Sequence, residues 1–412
     1  MTESDFLSIF VKISRETRVL NLTCKRLNME NAKIKIGFLS HKNPDNRVPM
    51  SGTTYKMNET LKSLGYDVVW IEEKHNIIYF LNRWFCYFYA ALTRSKIKPD
   101  RTRIGAWSGS MAISRKKMRE CDLLFLPFEP SFLYGMKPEK PLIYASDATF
   151  QRMIDYYYKN MPTWARRQGI AVDKRAMERA TLSVFSSNWS MSSAITDYGV
   201  PFDKVRLVEF GANLDEADLK PRPYKYDGEL RLVFIGVDWK RKGGKIAVDA
   251  VDYLYRKGYN VKLAIIGGKG MPDRVKSLPY VKYYGFLNKN DKFQYDELVK
   301  IMKDSHAMLL PTRAECSAIV YCEASAMGIP IFTCNTGGVS NYIYNGTNGY
   351  MLSPEATGED YGRKIDECMT SGEMEKMSGT APEVYKAMLN WNGWGLKMNE
   401  IIHSLLSGDK DD

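Results

Sequence analysis

The sequence predicts an α/β protein built from two doubly wound parallel sheets, and three observations carry that prediction. Apolar runs rich in β-branched and aromatic residues recur, each followed by a turn residue and then a helical pattern. The series breaks once, in a polar stretch, and starts afresh. The 412 residues also exceed one ordinary core, because domains settle at roughly 100 to 200 residues.

The first series comprises residues 34–39, 66–71, 122–128, 142–145, 182–186 and 205–210. The second comprises residues 230–237, 261–267, 281–286, 306–311, 330–333 and 349–352. Strands alternating with helical patterns read as βαβ units in parallel sheets covered on both faces. The break at 213–229 is polar and holds Pro221, Pro223 and Gly228, which marks an interdomain linker. The expected organisation is an extension over 1–32, domains over 33–212 and 230–390, and a terminal helix and tail over 391–412. Wound sheets bind ligands outside the carboxyl ends of their strands, so chemistry is expected in a cleft where two such edges face each other.

Hydrophobic residues at 44% and charged residues at 26% exclude disordered and fibrous classes. Seven cysteines lie far apart, without a CxxC pair or the density of a secreted scaffold, which fits a reducing, cytoplasmic setting. Residues 1–31 mix charges with an apolar run over 6–13 and lack a small-residue cleavage site, so no signal peptide is expected. That segment reads either as an appended helix or as sequence upstream of a start at Met29. No stretch reaches the ~18 apolar residues of a spanning helix. The net charge of +11 suits anionic partners, whether nucleic acid, anionic lipid or a diphosphate. Nucleic acid is not expected, because no helix-turn-helix, RNA-binding sheet motif or dense basic helix stands out. His41, His75, His306 and His403 show no ligand spacing, so neither a metal nor another cofactor is expected.

The strongest local signal follows the strand at 306–311. Glu315 and Glu323 are separated by seven residues, the first in a loop and the second inside an otherwise apolar helix with Ile319, Val320 and Ala324. A carboxylate in such a helix needs a hydroxyl or cation partner. Backbone amides near Ser317, Ala318 and Ile319 form an anion site at the helix start. Upstream, Gly236 is followed by Lys240, Arg241 and Lys242 at the mouth of the strand 230–237. A glycine turn brings backbone close to a ligand, and a basic triplet there neutralises phosphates.

Together with Gly337-Gly338 and the Asn345-Gly346 turn, this arrangement resembles the E-x7-E motif of family four retaining glycosyltransferases of the GT-B fold. Ser51-Gly52-Thr53, Asp147-Ala148-Thr149-Phe150 and Gly211-Ala212-Asn213 are similar to further family segments, and the likeness spans about residues 34–406. The resemblance implies that Glu315 contacts the transferred sugar and Glu323 the ribose. It implies that Lys242 holds the diphosphate. The family arginine is replaced by Val237, which leaves its charge to Arg241 or Lys240. Gly52, Thr53, Gly285, Phe286, Ser317, Ala318, Ile319 and Val320 complete the implied nucleotide-sugar site. Asp147 is the implied polar group from the acceptor-side first domain, at a place where relatives carry a His-Asp pair and this chain has Ser146. A plain helix N-cap is the competing role for Asp147.

The implied function is metal-independent transfer of a hexose-type sugar from a nucleotide-diphosphate sugar to a glycan or lipid-linked acceptor, in cell-surface polysaccharide synthesis. A sugar epimerase or phosphorylase of the same fold, or a non-catalytic nucleotide- or nucleic-acid-binding protein, are the alternatives. Residues 77–92 form the most aromatic stretch of the chain, followed by Arg94, Lys96 and Lys98. Such a segment suits the headgroup boundary of the inner membrane face; its other reading is an ordinary buried helix.

Overall fold

The computed structural model describes residues 34–407, and the extension at 1–32, with Cys24, lies outside them together with the last residues of the tail. The chain divides into two units: one runs to Val208 and resumes at Trp391, and the other is Glu209–Asn390.

The first unit holds β1 (Lys35–Ser40), β2 (Asp67–Glu72), β3 (Leu123–Pro127), β4 (Leu142–Ser146), β5 (Leu182–Phe185) and β6 (Val205–Leu207). They form one parallel sheet in the order β2-β1-β3-β4-β5-β6. The second unit holds β7 (Leu230–Asp238), β8 (Val261–Lys269), β9 (Val281–Gly285), β10 (Ala307–Leu310), β11 (Ile331–Cys334) and β12 (Gly349–Leu352). Its parallel order is β12-β11-β10-β7-β8-β9. Each strand therefore falls on an apolar run of the sequence.

Burial explains why these runs are continuous rather than alternating. β3, β4, β5, β10 and β11 are buried at every position, as strands covered on both faces must be. The edge strands β2 and β9 expose several residues. Where strands stop early, the backbone gives the reason: β3 ends before Phe128, whose φ is 63°, and β9 ends at Gly285, whose φ is 73°. Both are left-handed values that an extended strand cannot continue.

Residues 213–229 contain no helix or strand, but they are not a free connector. Leu214 and Leu219 are buried in the core of the second unit, which fixes this segment to it. The terminal helix Trp391–Ser407 belongs to the first unit. There Trp394 is 1% exposed and packs edge-on against Phe125 at 6.1 Å, with Trp391 at 5.4 Å. Gly395 lets the helix close on Thr53–Ser63, because a Cβ there would lie 2.8 Å from Thr60. The Tyr66 hydroxyl donates to Asn399 at 2.7 Å. Among the described residues no helix is long and apolar enough to cross a membrane, and the six cysteines are buried and unpaired with one another.

Trp394 fills the first unit's core, but its indole N–H finds no acceptor among the described residues. Trp394→Ala is therefore expected to cost about 3–5 kcal/mol in urea denaturation, as large-to-small core substitutions do. Trp394→Phe should cost clearly less, since it keeps a ring and removes an unpaired donor. Equal losses in both variants would contradict this account of the helix.

Candidate functional site

In the second sheet the chain winds from β7 out to β9, then returns to place β10 on the other side of β7. The carboxyl ends of β7 and β10 thus flank the point where the strand order reverses, the usual ligand crevice of a wound sheet. Gly236 lies near the carboxyl end of β7, and the turn after the strand is held by its last residue, Asp238, whose side chain accepts from the Arg241 amide at 2.9 Å. The Lys242 amide bonds the Asp238 carbonyl at 2.9 Å, and Gly243 then opens the helix Gly244–Arg256.

Gly243 is required there twice over. Its φ is 75°, and an added Cβ would lie 1.9 Å from the Pro311 carbonyl oxygen. This contact presses the loop after β7 against the loop after β10. The Arg313 amide donates to the Arg241 carbonyl at 2.7 Å, and the Arg241 guanidinium donates to the Ala314 carbonyl at 2.9 Å. Lys242 makes an ion pair with Glu315, and Arg241 stands 4.0 Å from the same carboxylate. Gly236 makes room for this, since a Cβ on it would meet the Lys242 side chain at 2.6 Å. The structure thus brings together Gly236, Arg241, Lys242 and Glu315; Lys240 is exposed.

Glu315 is nearly buried, and its carbonyl accepts from Gly338, which ties the glycine pair to the same loop. Glu323 lies in the helix Ile319–Ala326 and is 3% exposed. Its partner is Lys289, at 2.5 Å, a residue the sequence did not single out. The cation required by a carboxylate in an apolar helix thus comes from the loop after β9, next to Gly285 and the exposed Phe286. At the helix start, Ser317, Ile319 and Val320 are half-buried and Ala318 is buried. The Ile319 amide donates to Ser317 and the Tyr321 amide to Ala318, so part of the expected anion-binding backbone is already engaged.

In the first unit, Gly52 has a φ of 90° and directly precedes the helix Thr53–Ser63, whose first residue Thr53 is buried. Met50 and Ser51 share left-handed backbone with it. Asp147 follows β4 and is half-buried. The N-cap of the next helix, Phe150–Met153, is Thr149, which accepts from the Arg152 amide. The competing capping role for Asp147 is therefore filled by its neighbour.

A polar cluster lies beyond β1 and β2, where linear spacing gave no hint. His41 Nδ1 stands 2.5 Å from Glu73 Oε2, and His75 is beside them. Burial lowers the His41 imidazole to about 4, aided by His75. Burial raises Glu73 to about 8, with the charges of Glu129 and Asp100 adding to it. Glu129 is also raised to about 8 by burial, against the hydrogen bond it accepts from the His41 amide.

Residues 215–383 match the family of glycosyl transferases group 1. By sequence the chain is similar to the capsular polysaccharide biosynthesis glycosyltransferase CapM of Staphylococcus aureus, at 24% identity over 195 residues, covering 44% of this chain and 50% of that one. The chain spans about half the length of the curated relatives it matches. By structure it is similar to sucrose-phosphate synthase from Thermosynechococcus elongatus, with a TM-score of 0.66 at 13% identity, covering 92% of this chain and 100% of that one. It is also similar to the Anabaena protein HepE in complex with UDP and glucose, with a TM-score of 0.59 at 14% identity over 90% of this chain and 100% of that one. Two parallel six-stranded sheets with these neighbours are the GT-B glycosyltransferase fold, and the second unit carries the group 1 glycosyl transferase match.

Proposed function

We propose that the protein is a retaining glycosyltransferase of the E-x7-E kind, working in the cytoplasm, which moves a hexose-type sugar from a nucleotide-diphosphate sugar to a glycan or lipid-linked acceptor of cell-surface polysaccharide. The observation that carries this reading is the meeting of Lys242, Arg241 and Glu315 at the switch point between β7 and β10. The capsular polysaccharide relative and the UDP-bound neighbour agree with it.

In this proposal the leaving diphosphate takes Lys242 from Glu315, and Arg241 supplies the second cation. Fixed cations stabilise charge that develops as the sugar departs, and they need no reorganisation in the transition state. Glu315, released from the ion pair, faces the transferred sugar. Glu323 accepts the ribose hydroxyls, with Lys289 holding its carboxylate in place. Same-face attack, in which the leaving phosphate takes the acceptor's proton, requires neither a dedicated nucleophile nor a pair of carboxylates of the glycosidase kind. Asp147, Gly52 and Thr53 are the acceptor-side residues of this proposal, all within the first unit.

The acceptor is proposed to lie at an anionic membrane surface. The helix Ile77–Thr93 buries only a narrow stripe, Tyr79, Asn82 and Cys86. Leu81, Trp84, Phe85 and Phe88 are more than half exposed, and Ile104 and Trp107 on the neighbouring helix Arg103–Met111 are exposed as well. The expected alternative, an ordinary buried helix, does not describe this face. Exposed Arg94, Lys96, Arg103 and Lys116 accompany it, so aromatic and cationic groups combine as they do at headgroups.

A calorimetric panel of UDP, GDP and ADP should find one nucleoside diphosphate that binds, and Glu323→Ala should weaken it about tenfold, or ~1.4 kcal/mol. Glu315→Gln should leave that affinity equal or tighter, since it frees Lys242, while abolishing transfer. Equal losses in both variants would reject this division of roles. Lys242→Ala is expected to slow transfer at least about 100-fold, the scale of losing one preorganised stabiliser; near-normal turnover would place the charge elsewhere. Flotation with anionic liposomes at low salt should carry the protein, and Trp84→Ala combined with Phe88→Ala should abolish flotation without loss of fold. Wild-type protein that stays unbound overturns the membrane reading.

A further inference from the structure

The first unit contains a cluster that the transfer reaction does not use. β1 and β2 pair in parallel with Ser40 opposite Glu72, so the next residue of each strand, His41 and Glu73, continue that register beyond the sheet. His75 follows two residues later. Potential ligand atoms of His41, Glu73 and His75 all lie within 4.8 Å of one another. The Glu73 side chain is 1% exposed and the His41 side chain 22%. His41 Nδ1 and Glu73 Oε2 face each other at 2.5 Å, and among the described residues neither atom makes a well-aligned hydrogen bond. Buried polar atoms this close are satisfied by a cation common to both, either a shared proton or a bound metal ion.

The surroundings are built to orient these ligands. Glu73 is seated against Gly109, where any Cβ would fall 1.7 Å from Oε1. His75 stacks on the buried Tyr79 ring at 3.7 Å with an 11° interplanar angle. His41 Nε2 stands 3.7 Å from the Glu129 carboxylate, which also accepts the His41 amide at 2.8 Å. An imidazole directed at a metal through one nitrogen, with a carboxylate behind the other, is the outer arrangement that fixes ring and tautomer in metal sites.

We propose that His41, Glu73 and His75 form a binding site for one divalent transition-metal ion of the zinc class, with a further coordination position left to solvent or a ligand. Two imidazoles and one carboxylate are the donor set such ions take when a position stays open. Bonds of ~2.0–2.2 Å put tetrahedral ligand atoms roughly 3.4 Å apart. The His41 and Glu73 atoms lie inside that separation and all three groups lie within 4.8 Å, so modest rotations of the two rings reach it. Hard oxygen-seeking ions such as magnesium suit this set poorly. The three residues all belong to the first unit, whereas the cations assigned to the diphosphate belong to the second.

The test is titration of the untagged full chain with Co2+, followed by visible absorption. One equivalent per chain is expected, with the intense bands of a low-symmetry site, and Zn2+ should displace it. His75→Ala removes an exposed residue and leaves the core intact, and it should weaken binding about tenfold or more; His41→Ala and Glu73→Gln should do the same. His306→Ala, in the second unit, should bind as the wild type does. Nucleoside diphosphate affinity, measured after chelation, should not change, which separates this site from the donor site. Absence of a stoichiometric Co2+ spectrum, or wild-type Co2+ affinity in His75→Ala, overturns the proposal.

Discussion

The contact between Gly243 and the Pro311 carbonyl is the constraint on which the second unit's polar centre depends. Two loops leave adjacent strands of a parallel sheet and meet backbone to backbone, at a distance only glycine permits. Once they meet, Arg241 and Lys242 on one loop stand beside Ala314 and Glu315 on the other. The ion pair is a consequence of that approach. Taking two charges out of water is costly, and their attraction offsets the cost only with good geometry. A nearly buried Lys242–Glu315 pair is thus weak evidence for added stability. In the proposed reaction, the entering diphosphate exchanges one partner of the lysine for another.

Most of the architecture was legible because both sheets are covered on two faces. Strands such as β10 and β11 must then be apolar throughout, and such runs stand out between turn residues. Their ends were less legible, since the left-handed residue that terminates β3 is Phe128, which carries no sequence signal for that conformation. Among the candidate site residues, those whose partners follow from strand ends and glycines met as their chain positions suggested: Gly236, Lys242 and Glu315. Partners supplied by a different loop were invisible. Lys289 is one lysine in a polar loop, and only the fold delivers it to Glu323. His41 and His75 are 34 positions apart in sequence, and the pairing of β1 with β2 brings them together. The aromatic helix was left with two readings, because composition alone does not tell a buried face from an exposed one. Its exposure follows from Asn82, a polar residue in the buried stripe, which donates to the Pro99 carbonyl and accepts from Thr102.

The two units handle buried charge differently. In the second, Glu315 and Glu323 each face a lysine. In the first, Glu73 and Glu129 lie together near a neutral imidazole, and burial raises both carboxyls far above their ordinary range. The same unit buries Asp173 completely, but there Arg101, the Phe150 amide and the Tyr144 hydroxyl all point to it. Burial raises all three carboxyls, but only Asp173 has a guanidinium beside it.

The first unit is discontinuous: its sheet is complete by Val208, but Trp394 and Asn399 arrive only after the whole of Glu209–Asn390. During synthesis the chain emerges from its amino terminus, and domains tend to fold as units when their sequence is available. The second unit can therefore close while the first still has an open hollow beside Phe125. Until residues 391–407 emerge, that hollow exposes apolar surface to the cell's chaperones and proteases. Truncation just before Trp391 would thus leave a complete second unit attached to an unfinished first one.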